Sequence, residues 1–134
     1  MLINSFLSFG LFFFIAVAIV VVFLYLYALV TPYDDYKLIF EENNTAAAIG
    51  FGGAILGLSL PLYSAAAGSD AFLDFTIWAV VAMVIQLILA FVLTRMMSKF
   101  SFSQKISEGV LSVGVLMAFL SISVGVINAG SMSY

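Results

Sequence analysis

The sequence contains no cysteine and no histidine, and only 8% of its 134 residues are charged. Without cysteine there are no disulfides and no thiolate nucleophile. Without histidine the side chain that titrates most readily near neutrality is gone, and zinc and haem lose their usual donors. Four basic and seven acidic residues cannot cover a water-facing surface around a composition that is 65% hydrophobic. Lipid is therefore the solvent, as the mean hydropathy of +1.26 requires. The net charge of -3 offers no basic footprint for nucleic acid. The first apolar run also lacks a basic n-region and outlasts a signal-peptide h-region, so it reads as a retained span.

What is present is a set of four long apolar runs, each able to cross a hydrocarbon core about 30 Å thick, which takes roughly 20 helical residues. The first extends from Phe6 to Val30, with Tyr25 and Tyr27 marking its headgroup end. It is longer than the core is thick, so it tilts. The second extends from Thr45 to Ala67, with Asn44 or Thr45 as N-cap. The third covers Phe72 to Met97 and the fourth Ser107 to Gly130, followed by the uncharged tail Ser131 to Tyr134. The expected fold is all-α, a polytopic membrane protein of four transmembrane helices.

The first connection, Thr31 to Asn44, holds Asp34, Asp35, Lys37, Glu41 and Glu42. Pro32 interrupts the preceding helix, and Tyr33, Tyr36 and Phe40, three and four apart, suit a short interfacial helix with one aromatic face. Its four carboxylates read first as a solvated loop, with binding of a cation or basic partner as the alternative. The second connection, Gly68 to Ala71, is tight, and Asp70 and Asp74 lie beside it. All four basic residues, Lys37, Arg95, Lys99 and Lys105, fall in or beside the first and third connections. The positive-inside rule places those loops in the cytoplasm and both termini outside.

Inside the second span, Gly50, Ala54, Gly57, Pro61 and Ser64 recur every three or four residues and make one narrow seam. A comparable seam, Gly114, Ala118, Ser121, Gly125 and Asn128, lies 64 positions later in the fourth span. Small side chains let helix backbones approach closely in lipid, where packing drives association. Pro61 removes the donor to the Gly57 carbonyl, which then needs another partner. The seam is either a helix contact or the lining of a cavity. Gln86, in the middle of the third span, is either cross-helix glue or a pore position.

An offset of 64 also pairs Leu56 with Leu120, Ser59 with Ser123 and Ala65 with Ala129. Two tandem two-span repeats, 1–67 and 68–134, follow from this. Because each unit holds two spans, the copies run in the same direction, as parallel-repeat hairpins. The run NNTAAAIGFGGAILGLSLPLYSAAA, the VIQLIL around Gln86 and the closing GVINAGSM resemble a bacterial inner-membrane family of unknown function typified by YjfL. That resemblance implies a four-span protein with two family domains in tandem and brings no established activity. It implies membrane-stress proteins as partners.

The expectation is a non-enzymatic protein of the bacterial inner membrane. It self-associates into a homo-oligomer through the two seams and serves as a structural component of the membrane-stress response. No cofactor, metal or nucleic acid is expected, and membrane lipid is the surrounding partner. The alternative is a small oligomeric channel or transporter, with Gln86, Ser121, Ser123 and Asn128 along a polar path and Asp70 and Asp74 at its mouth. Catalysis inside a membrane needs ionisable or metal-binding residues in the spans, and all four cores lack them.

Overall fold

The computed structural model describes residues 2–97 and 99–132. Ser98 and the end of the tail, Ser133 and Tyr134, lie outside the described residues. Six α-helices follow in order: α1 Leu2–Val30, α2 Asp35–Phe40, α3 Thr45–Gly68, α4 Phe72–Phe91, α5 Phe102–Ser107 and α6 Leu111–Ser131. Among the described residues four helices are long and apolar enough to cross a membrane, α4 counting together with the π-helical turn Val92–Met96 that continues it. There is no strand among the described residues.

Each half of the chain runs long helix, six-residue helix, long helix. The short helix α2 falls where Tyr33, Tyr36 and Phe40 predict one, α5 has no such spacing to announce it, and α6 starts at Leu111, four residues after the Ser107 where the sequence places the start of the last span. The chain turns after both short helices through a left-handed residue, Asn43 with φ 54° and Gly109 with φ 79°. Asn and Gly are the residue types that tolerate this conformation. The two turns lie 66 positions apart, and so do the first residues of α3 and α6. The closing long helices thus correspond at 66 and the short helices at 67, whereas the side-chain identities pair residues at 64.

Asn44 is the N-cap of α3, its Oδ1 accepting from the Ala47 N–H at 2.9 Å. Its Nδ2 donates to the Ile106 carbonyl at 2.7 Å, near the end of α5. One side chain therefore satisfies donors opening one helix and an acceptor closing another. It also ties the first and third connections together at one end of the bundle.

The two seam helices lie side by side and parallel. Ala46 meets Gly114, Gly50 meets Met117, Gly57 meets Ser121, and the Ser64 hydroxyl donates to the Ala129 carbonyl at 3.3 Å. α4 packs on α3 and on α1, where Phe12 sets its ring edge-on to Phe75 with centroids 5.1 Å apart. Phe23, Leu58, Phe75, Ala79, Ala82 and Ile106 are fully enclosed between these helices. The N-terminal half of α1 has no such cover, and all of Leu2–Leu11, together with Phe13 and Phe14, is exposed.

Candidate functional site

Close approach of α3 and α6 is set by their backbones. A methyl group at Gly53 would overlap the Cα of Ala118, and one at Gly57 would overlap the Ser121 carbonyl. One at Gly114 would overlap the Ala46 carbonyl, and one at Gly125 the carbonyl oxygen of Gly57, with the Gly57 Cα also only 2.8 Å away. Pro61 cannot donate to that Gly57 carbonyl, and the oxygen faces the bare Gly125 backbone instead. A Cα–H···O contact of this kind is a weak hydrogen bond that recurs between close-packed helices.

Gly50, Ala54, Gly57, Pro61, Gly114, Ala118, Ser121, Gly125 and Asn128 are buried and Ser64 is half-buried. The two seams face one another inside a single chain. Self-association through them is therefore corrected: the surface expected to receive a second copy is already covered by the chain's other seam.

Gln86 is 1% exposed, and its Nε2 donates to the Ser121 carbonyl at 2.9 Å, so α4 is tied to the seam pair. Gln86 Oε1 and Asn128 Nδ2 are buried without a hydrogen-bond partner. The remaining residues of the expected polar path do not join them. Ser123 lies on the exposed side of α6, Asp70 is exposed in the second connection, and Asp74 is half-exposed in the first turn of α4. The period of a helix separates them, because Ser123 is two residues from Ser121 and so faces away from it.

The structure places an unforeseen site at the end of the bundle where α1 hands over to α2. Of the four loop carboxylates read as solvated, Asp34, Glu41 and Glu42 are exposed, but Asp35 is 1% exposed. Asp34 forms the N-cap of α2, its Oδ1 accepting from the Lys37 N–H at 3.2 Å, and this turn rolls Asp35 and Leu38 inward. The Thr31 hydroxyl lies 2.5 Å from Asp35 Oδ2, and also 3.2 and 3.3 Å from the carbonyl oxygens of Tyr27 and Tyr33. The Tyr27 ring stacks on Phe51 of α3 at 4.8 Å, and the Tyr33 hydroxyl reaches Met117 Sδ of α6 at 3.9 Å.

Burial pushes the Asp35 carboxyl up from the ordinary 3.8 to about 6, the Thr31 hydrogen bond opposing the shift and the Asp34 charge adding to it. Burial likewise raises Tyr33, with Asp35 contributing. Arg95, on the π-helical turn, donates to the Val30 carbonyl and does not pair with Asp35. The sequence signal that could have singled out Asp35 is its spacing of four from Thr31, which puts hydroxyl and carboxyl one turn apart.

Among known proteins, the family profile described as Domain of Unknown Function (DUF350) matches residues 1–132. The chain belongs to the DUF350 family. The resemblance read from the Gly and Pro seam and the NNTAAA run is thereby borne out. Similar proteins include "UPF0719 inner membrane protein YjfL" of Escherichia coli (strain K12), 37% identical over 133 residues, or 99% of this chain and 98% of that protein. "UPF0719 transmembrane protein YshE" of Bacillus subtilis (strain 168) is 26% identical over 129 residues, 96% of each. No solved structure matches this DUF350 chain. The family is one of unknown function, so its membership supplies an architecture and a membrane setting but no reaction.

Proposed function

We propose that this DUF350 chain is a non-enzymatic structural protein of the bacterial inner membrane that assembles into homo-oligomers through the N-terminal half of α1. The observation that carries this reading is the division of surfaces. The small-residue seams close on each other within the chain, while Leu2–Leu11, Phe13 and Phe14 stay exposed and Phe12 turns in against Phe75. On that helix Gly10 leaves a notch flanked by Phe9, Phe13, Phe14 and Val17, a shape that accepts a large apolar side chain from a neighbouring copy. Both termini outside, with the connections bearing Lys37, Arg95, Lys99 and Lys105 cytoplasmic, belongs to the same reading. Partnership with membrane-stress proteins is part of it, and rests on the family resemblance alone.

Because the chain has no cysteine, one introduced cysteine reports unambiguously. Gly10→Cys in membrane vesicles should form a disulfide-linked dimer, whereas Gly130→Cys, at the far end of α6, should not. Equal cross-linking at both sites, or none at Gly10 and at neighbouring α1 positions, refutes the assembly.

A channel formed by several copies is the second reading, favoured by the unpartnered Gln86 Oε1 and Asn128 Nδ2. Buried polar atoms without partners are rare enough to call for a ligand or a water. Ion flux into liposomes carrying the cross-linked assembly separates the two readings: background flux leaves the structural one standing.

A further inference from the structure

At the Asp35 corner backbone N–H groups serve two of the oxygens, the Thr31 N–H donating to the Tyr27 carbonyl at 3.0 Å and the Asp35 N–H to its own carboxylate, so the side-chain hydrogens decide the rest. The Thr31 hydroxyl has one hydrogen, and three acceptors lie around it: Asp35 Oδ2 and the carbonyl oxygens of Tyr27 and Tyr33. With Asp35 ionised, that single hydrogen is the only side-chain hydrogen among the described residues that reaches this group of oxygens. With Asp35 protonated, the carboxyl donates to Thr31 Oγ1 and the Thr31 hydrogen turns to a carbonyl, so two hydrogens serve the same set. The 2.5 Å separation is at the short end of O–H···O bonds and leaves no space for a metal ion between the two atoms. No cluster of three metal-ligating side chains exists among the described residues.

The charged and titratable groups facing this corner do not favour an ionised carboxylate. α1 contributes Tyr27 and the first connection Tyr33, phenols that bring no positive charge to the carboxyl. The N-cap Asp34 contributes a carboxylate, which repels a second negative charge, and α2 itself brings Tyr36 and the exposed Lys37. Tyr36 turns its hydroxyl to the Leu24 carbonyl at 3.0 Å. α3 and α6 bring Phe51 and Met117, which carry no charge, and Lys105 of α5 is exposed. Arg95 is held at the Val30 carbonyl.

We propose that Asp35 is a proton-binding site, its carboxyl neutral and donating to Thr31 while α2 is docked, and losing its proton to water when α2 leaves the bundle. No bond other than O–H changes, and the proton goes to bulk water at the membrane surface. α2 is the moving part because Asp35 and Leu38 are its only buried residues. The proton thereby couples the pH at one membrane face to the position of a helix carrying the exposed aromatics Tyr36 and Phe40. This stands apart from the assembly through α1, which involves neither α2 nor Asp35.

The test uses the full chain in lipid vesicles and infrared difference spectra over a pH titration. A protonated-carboxyl band should titrate with a midpoint near the value of about 6 that burial imposes. It should vanish in Asp35→Asn and persist in Asp34→Asn. Leu38→Cys gives a second readout, because Leu38 is buried only while α2 is docked. Its labelling by a water-soluble thiol reagent, divided by that of the same cysteine in an Asp35→Asn background, should rise on the order of a hundredfold from about pH 4 to about pH 7. A band that survives Asp35→Asn, disappears in Asp34→Asn or is missing from the wild-type chain overturns the proposal. A labelling ratio independent of pH overturns the coupling to α2. Should Asp35→Asn fail to insert, the wild-type and Asp34→Asn spectra still decide the site.

Discussion

Adding one methyl group to α6 at Gly125 should loosen the whole bundle, while the same methyl group on α3 at Gly52 should not. A Cβ at Gly52 has nothing within 4 Å, so Gly52→Ala carries only the helix-propensity gain, about 1 kcal/mol of stabilisation. At Gly125 the same gain is opposed by overlap with Gly57, whose carbonyl, carbonyl carbon and Cα all crowd the added atom. Backbone atoms cannot rotate out of the way as a side-chain tip can. The helices must separate, which sets the cost toward the upper end of the roughly 1–3 kcal/mol typical of overpacked cores. Separation also weakens the dispersion contacts of every neighbouring seam residue. The two alanine variants should therefore differ by about 3 kcal/mol, on the order of a hundredfold in the unfolding equilibrium. Reversible unfolding in mixed micelles of lipid-like and denaturing detergent, followed by circular dichroism, measures this difference. Equal midpoints for Gly125→Ala and Gly52→Ala would show that α3 and α6 do not meet backbone to backbone, and the internal seam would be wrong.

Asn44→Ala removes a helix cap and the tie to Ile106 together and should cost about 2 kcal/mol; Asn44→Asp keeps the acceptor and should recover roughly half of that in the same unfolding assay. Gln86→Leu deletes one cross-helix bond and one unpartnered oxygen at once, so its cost should stay below about 1 kcal/mol. A larger loss would mean that Oε1 has a bound water to give up. Docked α2 binds its proton more tightly than undocked α2, since the Asp35 carboxyl is raised from 3.8 to about 6. Docking should be strongest below about pH 4, weaken as pH rises toward 6 and level off above it, a total change of about 3 kcal/mol. Asp35→Asn should flatten that dependence, as hydrogen exchange of the α2 amides would show.

Length, apolar runs and local chemistry decided the four spans, because a helix in lipid must satisfy its own backbone and needs only enough apolar residues to do so. Asn44 was readable as a cap, and the three-and-four spacing from Gly50 to Ser64 was readable as a seam, since both are local features of one helix. The partner of that seam was not. A row of small residues says that something comes close, and only the packed chain shows that the something is Gly114 to Asn128 of the same molecule. The same limit applies to Gln86, whose acceptor is a backbone carbonyl on another span and leaves no trace in side-chain identity.

The loop carboxylates make the contrast sharpest. Asp34, Asp35, Glu41 and Glu42 are chemically alike and close in sequence, and composition treats them as one acidic loop. Tertiary structure separated them, because the turn set by Asp34 points Asp35 at the end of α1 and under Thr31, whereas its neighbours stay in water. Local sequence determined that helices form and where they stop. Which side chains lost their water depended on how those helices met, and burial is a property of the neighbours rather than of the residue.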